Sequence, residues 1–268
     1  MAEIFEDIKG TYLSDVASTG DPVVVYVMSQ PGGGKSESLY RWPPLLPGRR
    51  PVRIVGDDYK GFHPAYLTLL EGDPRNAGSA IRPYYGAWQA WAEDFVRQRR
   101  GDAVIEIAPG SAKQFREGAA AFREAGYRVE LIVLAVRPSD SRLGTATRYA
   151  EAIGAGASPA RFTSASGHDD CFAAVEASVL TAEQEAVVDR VTVRRRDGTE
   201  LYQADRGTPE FTGLGALDVV RAEWSRSYTD PEAARFRDTL ARLREMLPGH
   251  GAELDEIAEL ARPLLPSA

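Results

Sequence analysis

VVVYVMSQPGGGKS, residues Val23 to Ser36, joins an apolar run with three consecutive valines to a glycine-rich turn ending in Gly-Lys-Ser. The apolar part reads as a buried, parallel β-strand. Ser29, Gln30, Pro31, Gly32, Gly33, Gly34, Lys35 and Ser36 then follow the phosphate-loop pattern, with Ser29 at the position where the pattern has glycine. The glycines let successive backbone N–H groups turn toward a phosphate, and a helix starting near Ser36 adds its positive end. Lys35 is positioned for β- and γ-phosphates, and the Ser36 hydroxyl for Mg²⁺. The competing reading is a plain glycine-rich turn, but strand, glycines, Gly-Lys-Ser and helix all occur in order.

The rest of the composition narrows the field. The chain has 268 residues, 43% hydrophobic and 26% charged, enough for one large or two small domains. A net charge of −7 argues against a nucleic-acid binder. Only four of the 32 basic residues are lysines, so Lys35 inside the loop stands out. One cysteine, Cys171, excludes an intrachain disulfide and a cysteine metal cluster. There is no membrane-length apolar run and no signal-peptide pattern in MAEIFEDIKG, so the expected compartment is the cytoplasm.

Apolar runs at Val52–Val55, Ala103–Ile107, Val129–Val136, Val188–Arg194 and Thr199–Tyr202 are expected strands. The last two flank the turn Arg196-Asp197-Gly198. Helices are expected over Ser36–Arg41, Ala65–Glu71, Tyr84–Arg100, Ser111–Ala125, Pro138–Ile153 and, as one or two pieces, Phe172–Val187. Residues 154–170 are expected to be flexible, and the tail from Phe211 mainly helical. Tyr84, Trp88, Trp91 and Phe95 share one face of their helix, as core packing or a substrate-facing surface. Alternation of strands and helices implies an α/β three-layer fold with a mainly parallel sheet, whose ligands bind at the carboxyl ends of the strands. The phosphate loop, Asp57-Asp58 and Glu106 all stand at such ends.

The chemistry follows from those positions. A carboxylate after the second strand can accept a proton from an attacking hydroxyl and help hold Mg²⁺; the alternative is a helix cap. Lys60 and His63 either touch phosphate or fix the loop. Arg148 and Arg161 lie where small kinases carry a lid, and arginines there would stabilise the transferring phosphoryl group. His168 reads as a helix-start or loop-fixing residue.

Four stretches together, SQPGGGKS, GDDYKGFHP, VIEIAPG, and LGTATRYAEAI running on to SPARFTSASGHD, resemble the zeta toxin family, the kinase half of epsilon/zeta toxin–antitoxin modules. Order and spacing hold over roughly residues 20 to 205, including the 13-position spacing from Arg148 to Arg161. The resemblance implies a P-loop kinase-like core over 1–207, lid included, and a helical C-terminal extension over 208–268 packed on it. It implies phosphorylation of a sugar hydroxyl of UDP-N-acetylglucosamine by ATP, or GTP, with Mg²⁺. Gln30 to Ser36 would bind nucleotide and Ser36 the metal, Asp57 would be the general base, and Glu106 would contact the sugar. Arg148 and Arg161 would clamp the phosphates. A small helical antitoxin is the implied partner, with no role for nucleic acid or membrane.

Two positions depart from the family. Ala108 replaces a threonine two residues after the strand glutamate, and Ala90 replaces a glutamate on the aromatic helix; Gln89 or Asp94 would be the substitutes. These changes keep open a phosphotransferase for another small hydroxyl compound, such as an antibiotic. A nucleotide-binding protein whose slow hydrolysis regulates a partner is the remaining alternative.

Overall fold

The computed structural model describes residues 1–156, 160–211 and 213–266. Six strands form one sheet: β1 (Val23–Met28), β2 (Val52–Val55), β3 (Ala103–Ile107), β4 (Arg128–Leu134), β5 (Arg190–Arg194) and β6 (Glu200–Asp205). Their order is β2-β3-β1-β4-β5-β6, parallel throughout except for the antiparallel β5–β6 hairpin. β1 is therefore central, with all six residues buried. Its side chains alternate between two cores: Val24, Tyr26 and Met28 on one face, Val23, Val25 and Val27 on the other. This two-sided burial accounts for the unbroken apolar run.

The helices are α1 (Ala2–Tyr12), α2 (Lys35–Arg41), α3 (Tyr66–Gly72), α4 (Ala77–Ala80), α5 (Arg82–Arg99), α6 (Ala112–Glu124), α7 (Pro138–Gly154), α8 (Ala165–Gln184), α9 (Gly215–Trp224), α10 (Asp230–Met246) and α11 (Gly251–Ala261). The larger core takes side chains from α1, α5, α6, α8 and α9. The opposite face is closed by Trp42 and Leu46, with Leu39 and Leu45 packed beside them. No helix among the described residues is long and apolar enough to cross a membrane.

Two local expectations need correction. The aromatic face of α5 is not one buried stripe: Trp88 is fully buried, while Tyr84 and Trp91 are 43% and 38% exposed. Helical period reveals a shared face but not what covers it; here Trp91 meets Phe5 of α1 and Tyr84 meets His63. Part of the stretch expected to be flexible is helix, since α7 runs to Gly154 and α8 starts at Ala165, with residues 157–159 outside the described residues. α8 begins at Ala165, seven residues early, because the Ser164 hydroxyl accepts from the Gly167 N–H at 3.2 Å and caps it. β2 lies at one edge of the sheet, with β3 between it and β1.

The chain after β6 builds a second helical cluster. Ala233, Phe236, Leu240 and Leu243 of α10 and Leu254, Ile257 and Ala261 of α11 pack with Leu143, Ala146 and Ala150 of α7. The spacings of three and four keep each set on one helix face. α10 starts at a reciprocal cap between Thr229 and Glu232.

Candidate active site

The phosphate loop between β1 and α2 is braced on both flanks. Gly32 and Gly34 have φ of 76° and 86°, the left-handed region where a side chain is strained. A Cβ at Gly32 would also strike the Ser141 carbonyl. Gln30 Nε2 donates to the Val136 carbonyl at 2.8 Å and to Ser141 Oγ at 3.0 Å, tying the loop to the segment after β4 and the first turn of α7. Ser29, the departure from the phosphate-loop pattern, is fully buried, and its hydroxyl donates to Gln30 Oε1 at 3.1 Å. Pro31 is half-buried at the loop's bend.

Lys35 Nζ donates to the Ser29 carbonyl at 2.8 Å and the Gln30 carbonyl at 3.3 Å. Burial pushes its pKa down to about 8, against the opposing pull of Glu106 and Asp57. The next residue, Ser36, donates its hydroxyl to Glu106 Oε2 at 2.7 Å. Glu106 Oε1 in turn accepts from Arg53 Nε at 2.7 Å. The strand glutamate is thus turned to the phosphate loop, where the resemblance implied a contact with the sugar. Its placement beside the loop serine matches the metal-side carboxylate of P-loop enzymes. A hydroxyl and a carboxylate are hard oxygen donors of the kind magnesium prefers.

After β2 the chain enters a 3-10 helix, Gly56–Phe62. With three residues per turn, positions i and i+3 eclipse, which places Lys60 over Asp57. Lys60 Nζ lies 2.7 Å from Asp57 Oδ1 and 4.8 Å from the centre of the Tyr85 ring. Lys60 is buried, and burial lowers its pKa to about 8. The other oxygen of Asp57 accepts from Arg161 at 2.8 Å. Burial would raise the Asp57 pKa; Lys60 and Arg161 overcome it and hold the carboxyl well below the usual range. Asp58 has the opposite shift, upward, through burial and the nearby Glu106 and Asp57 charges, against Arg53. His63 packs edge-on against Tyr84 at 4.7 Å and near Trp88 at 6.3 Å, which suits the loop-fixing alternative.

Arg161 and Arg148 come together at this end of the sheet. Burial, then the like charge of Arg161, lowers the pKa of the Arg148 guanidinium. Asp57 holds that of Arg161 above its ordinary value despite burial. The structure therefore gathers Lys35, Ser36, Glu106, Asp57, Lys60, Arg148 and Arg161 around one loop.

Several neighbours were not singled out by sequence. Arg196, in the β5–β6 turn, donates to the Gly33 carbonyl at 3.0 Å and also to those of Gly32 and Asp140. Ser141 links Gln30 to the buried His168, whose Nε2 is 2.8 Å away and whose Nδ1 is 2.9 Å from Asp169. The turn around Arg196 and the Gly-His at the start of α8 were visible, but their reach across the fold was not. Gln89 and Asp94, the substitutes considered for the missing polar contacts, bond within α5: Gln89 to Glu93 at 3.0 Å, Asp94 to Gln98 at 2.7 Å.

Known proteins resemble this chain in sequence and in fold. Toxin PezT of Streptococcus pneumoniae serotype 4 is 24% identical over 209 residues, covering 78% of this chain and 82% of that protein. Toxin zeta of Streptococcus pyogenes is 21% identical over 226 residues, 84% of this chain and 76% of its own length. A solved structure from the PezAT chromosomal toxin–antitoxin system of Streptococcus pneumoniae superposes with a TM-score of 0.70 at 20% identity, covering 97% of this chain and 98% of that one. A chain from the AvrRxo1-ORF1:AvrRxo1-ORF2 structure with sulphate ions gives 0.53 at 11% identity, covering 96% and 88%. The family model for zeta toxin matches residues 9–207, and by that match over most of its length the chain belongs to the zeta toxin family.

Proposed function

We propose that this protein is an ATP-dependent kinase that phosphorylates a hydroxyl of UDP-N-acetylglucosamine or a related nucleotide sugar. The observation that carries the reading is the meeting of a braced phosphate loop with the Asp57 carboxylate, itself held between Lys60 and Arg161. Lys35 and the loop amides bind the phosphates, and Ser36, with Glu106 behind it, is the metal ligand. Magnesium bound there would neutralise charge on the β- and γ-phosphates.

Asp57 is strongly ionised, so it is a weak base in its resting pairing and a good acceptor for orienting a hydroxyl. That suits a loose phosphoryl-transfer transition state, where the proton leaves late. An incoming phosphate competes with Asp57 for Arg161. Moving Arg161 onto the transferring group would both stabilise its charge and free one Asp57 oxygen for the acceptor hydroxyl. Arg148 supplies the second lid cation.

Membership of the family and the toxin–antitoxin setting of the PezAT structure support a toxic outcome for cell-wall synthesis and a small helical antitoxin as partner, acting in the cytoplasm. Ala90 and Ala108 favour a second reading for the acceptor, another small hydroxyl compound, since Gln89 and Asp94 are engaged within their own helix. Incubation with γ-labelled ATP and a panel of nucleotide sugars and other alcohols distinguishes the two. Label on a nucleotide sugar, lost in a folded Lys35→Ala, is the expected result; labelling that persists in Lys35→Ala would overturn the phosphate-loop assignment.

A further inference from the structure

The two lid arginines are each followed by an aromatic residue, Tyr149 after Arg148 and Phe162 after Arg161. The rings of Tyr149 and Phe162 meet edge-to-face at 5.0 Å. A third ring joins them from the C-terminal helices. His250, in the turn between α10 and α11, stacks on Phe162 at 4.8 Å and 19°, and lies 5.2 Å from Tyr149. Phe162 is buried, with its N–H bonded to the Pro74 carbonyl at 3.2 Å. The Arg75 guanidinium covers it at 4.9 Å and pairs with Glu253 of α11. A second tie, Arg142 to Glu256 at 2.6 Å, holds α11 to α7.

These contacts hold Phe162 from α7, the Pro74–Arg75 turn and the α10–α11 corner. One residue earlier stands Arg161, aimed at Asp57. A guanidinium on a long side chain has rotamer freedom to lose, and its backbone anchor decides how much of that freedom is spent before phosphate arrives. We infer that the C-terminal helices act in phosphoryl transfer, with His250 as a positioning residue that sets Arg161 against Asp57 through the Phe162 stack. This rests on the kinase reading above and gives the α10–α11 layer a role in that reaction beyond packing.

The test uses the full chain with His250→Ala, His250→Phe and Arg161→Ala, singly and with His250→Ala and Arg161→Ala combined. Single-turnover transfer from ATP should fall roughly 10–100-fold in His250→Ala. ATP affinity should stay near the parent's, because the fault lies in placing a transition-state charge. His250→Phe keeps a ring on Phe162 and should restore most of the rate. In the combined variant, removing His250 should add little to the loss from Arg161→Ala, since one acts through the other. A readout independent of activity is the titration of the Asp57 carboxyl by carbon-13 NMR, which should move upward in His250→Ala as it does in Arg161→Ala. Parent-like transfer and Asp57 titration in folded His250→Ala, or fully additive losses, would overturn the inference. Should His250→Ala not fold, Phe162→Leu takes its place, keeping bulk and removing the ring. A parent protein that labels no acceptor would sink the kinase reading, and the Asp57 titration would still decide whether His250 sets Arg161.

Discussion

Arg161 donates to Asp57 across 2.8 Å of space and 104 residues of chain. The pair joins the lid segment to the 3-10 helix after β2, and each group holds the other charged. Asp58, one residue on, has its pKa raised instead, first by burial, against the nearby Arg53 charge. Asp57→Asn should bind ATP nearly as the parent does and lose transfer by roughly 10²–10⁴. Asp58→Asn should keep most activity. Single-turnover transfer beside an ATP-binding measurement decides between them, and an active Asp57→Asn with an inactive Asp58→Asn would assign the role to the wrong carboxylate.

Glu106 has two possible clients, the loop serine and the sugar. Its bond to Ser36 predicts that Glu106→Gln raises the magnesium concentration needed for half-maximal transfer by roughly 10–100-fold, with the acceptor KM little changed. A magnesium titration at several acceptor concentrations separates the cases. A raised acceptor KM at unchanged magnesium dependence would return Glu106 to the sugar.

Arg196 caps the outer carbonyls of the phosphate loop. Hydrogen bonds to a charged donor contribute about 1.5–3 kcal/mol each, net of exchange with water. Arg196→Ala should therefore weaken ATP binding about tenfold or more, and the rate at saturating ATP should fall less. Calorimetric titration with ATP checks this; parent-like affinity would leave Arg196 as a packing contact of the hairpin.

Glu93 is buried on α5 with Gln89 as its donor, and burial raises its pKa from 4.5 to about 7. Between those values the folded chain holds a proton that the unfolded chain has released. Stability therefore falls as pH rises through that window, by up to about 1.4 kcal/mol per unit. Glu93→Gln removes the titration. Its advantage over the parent in urea midpoint should grow from pH 5 to pH 8; a constant difference would show that Glu93 ionises normally.

How much of this could be read from the chain depended on the range of each interaction. The phosphate loop is contiguous, so its strand, glycines, Lys35 and Ser36 were legible together. The Asp57–Lys60 contact spans three residues, and one turn of 3-10 helix delivers it. Arg196 reaches Gly32 across 164 positions, Ser141 meets Gln30 across 111, and His250 stacks on Phe162 from a separate helix pair, and no local spacing encodes such meetings. The α5 aromatics show the same limit: period identified their common face, while the neighbours Phe5 and His63 decided its exposure. The start of α8 was recoverable, because Ser164 three residues before Gly167 is a cap pattern hidden in a stretch rich in glycine and serine.

The Arg196 contacts also set an order of events during synthesis. The phosphate loop leaves the ribosome early, but the guanidinium that ties down Gly32 and Gly33 is encoded 164 and 163 residues later. Until the β5–β6 hairpin has emerged and docked, the loop has its sequence without its full bracing. Chains emerge N-terminus first at about 5–20 residues per second, so for roughly 8–30 seconds a nascent copy carries an unfinished phosphate loop. For that interval the nascent chain has the loop's residues but not the fold that makes them a site.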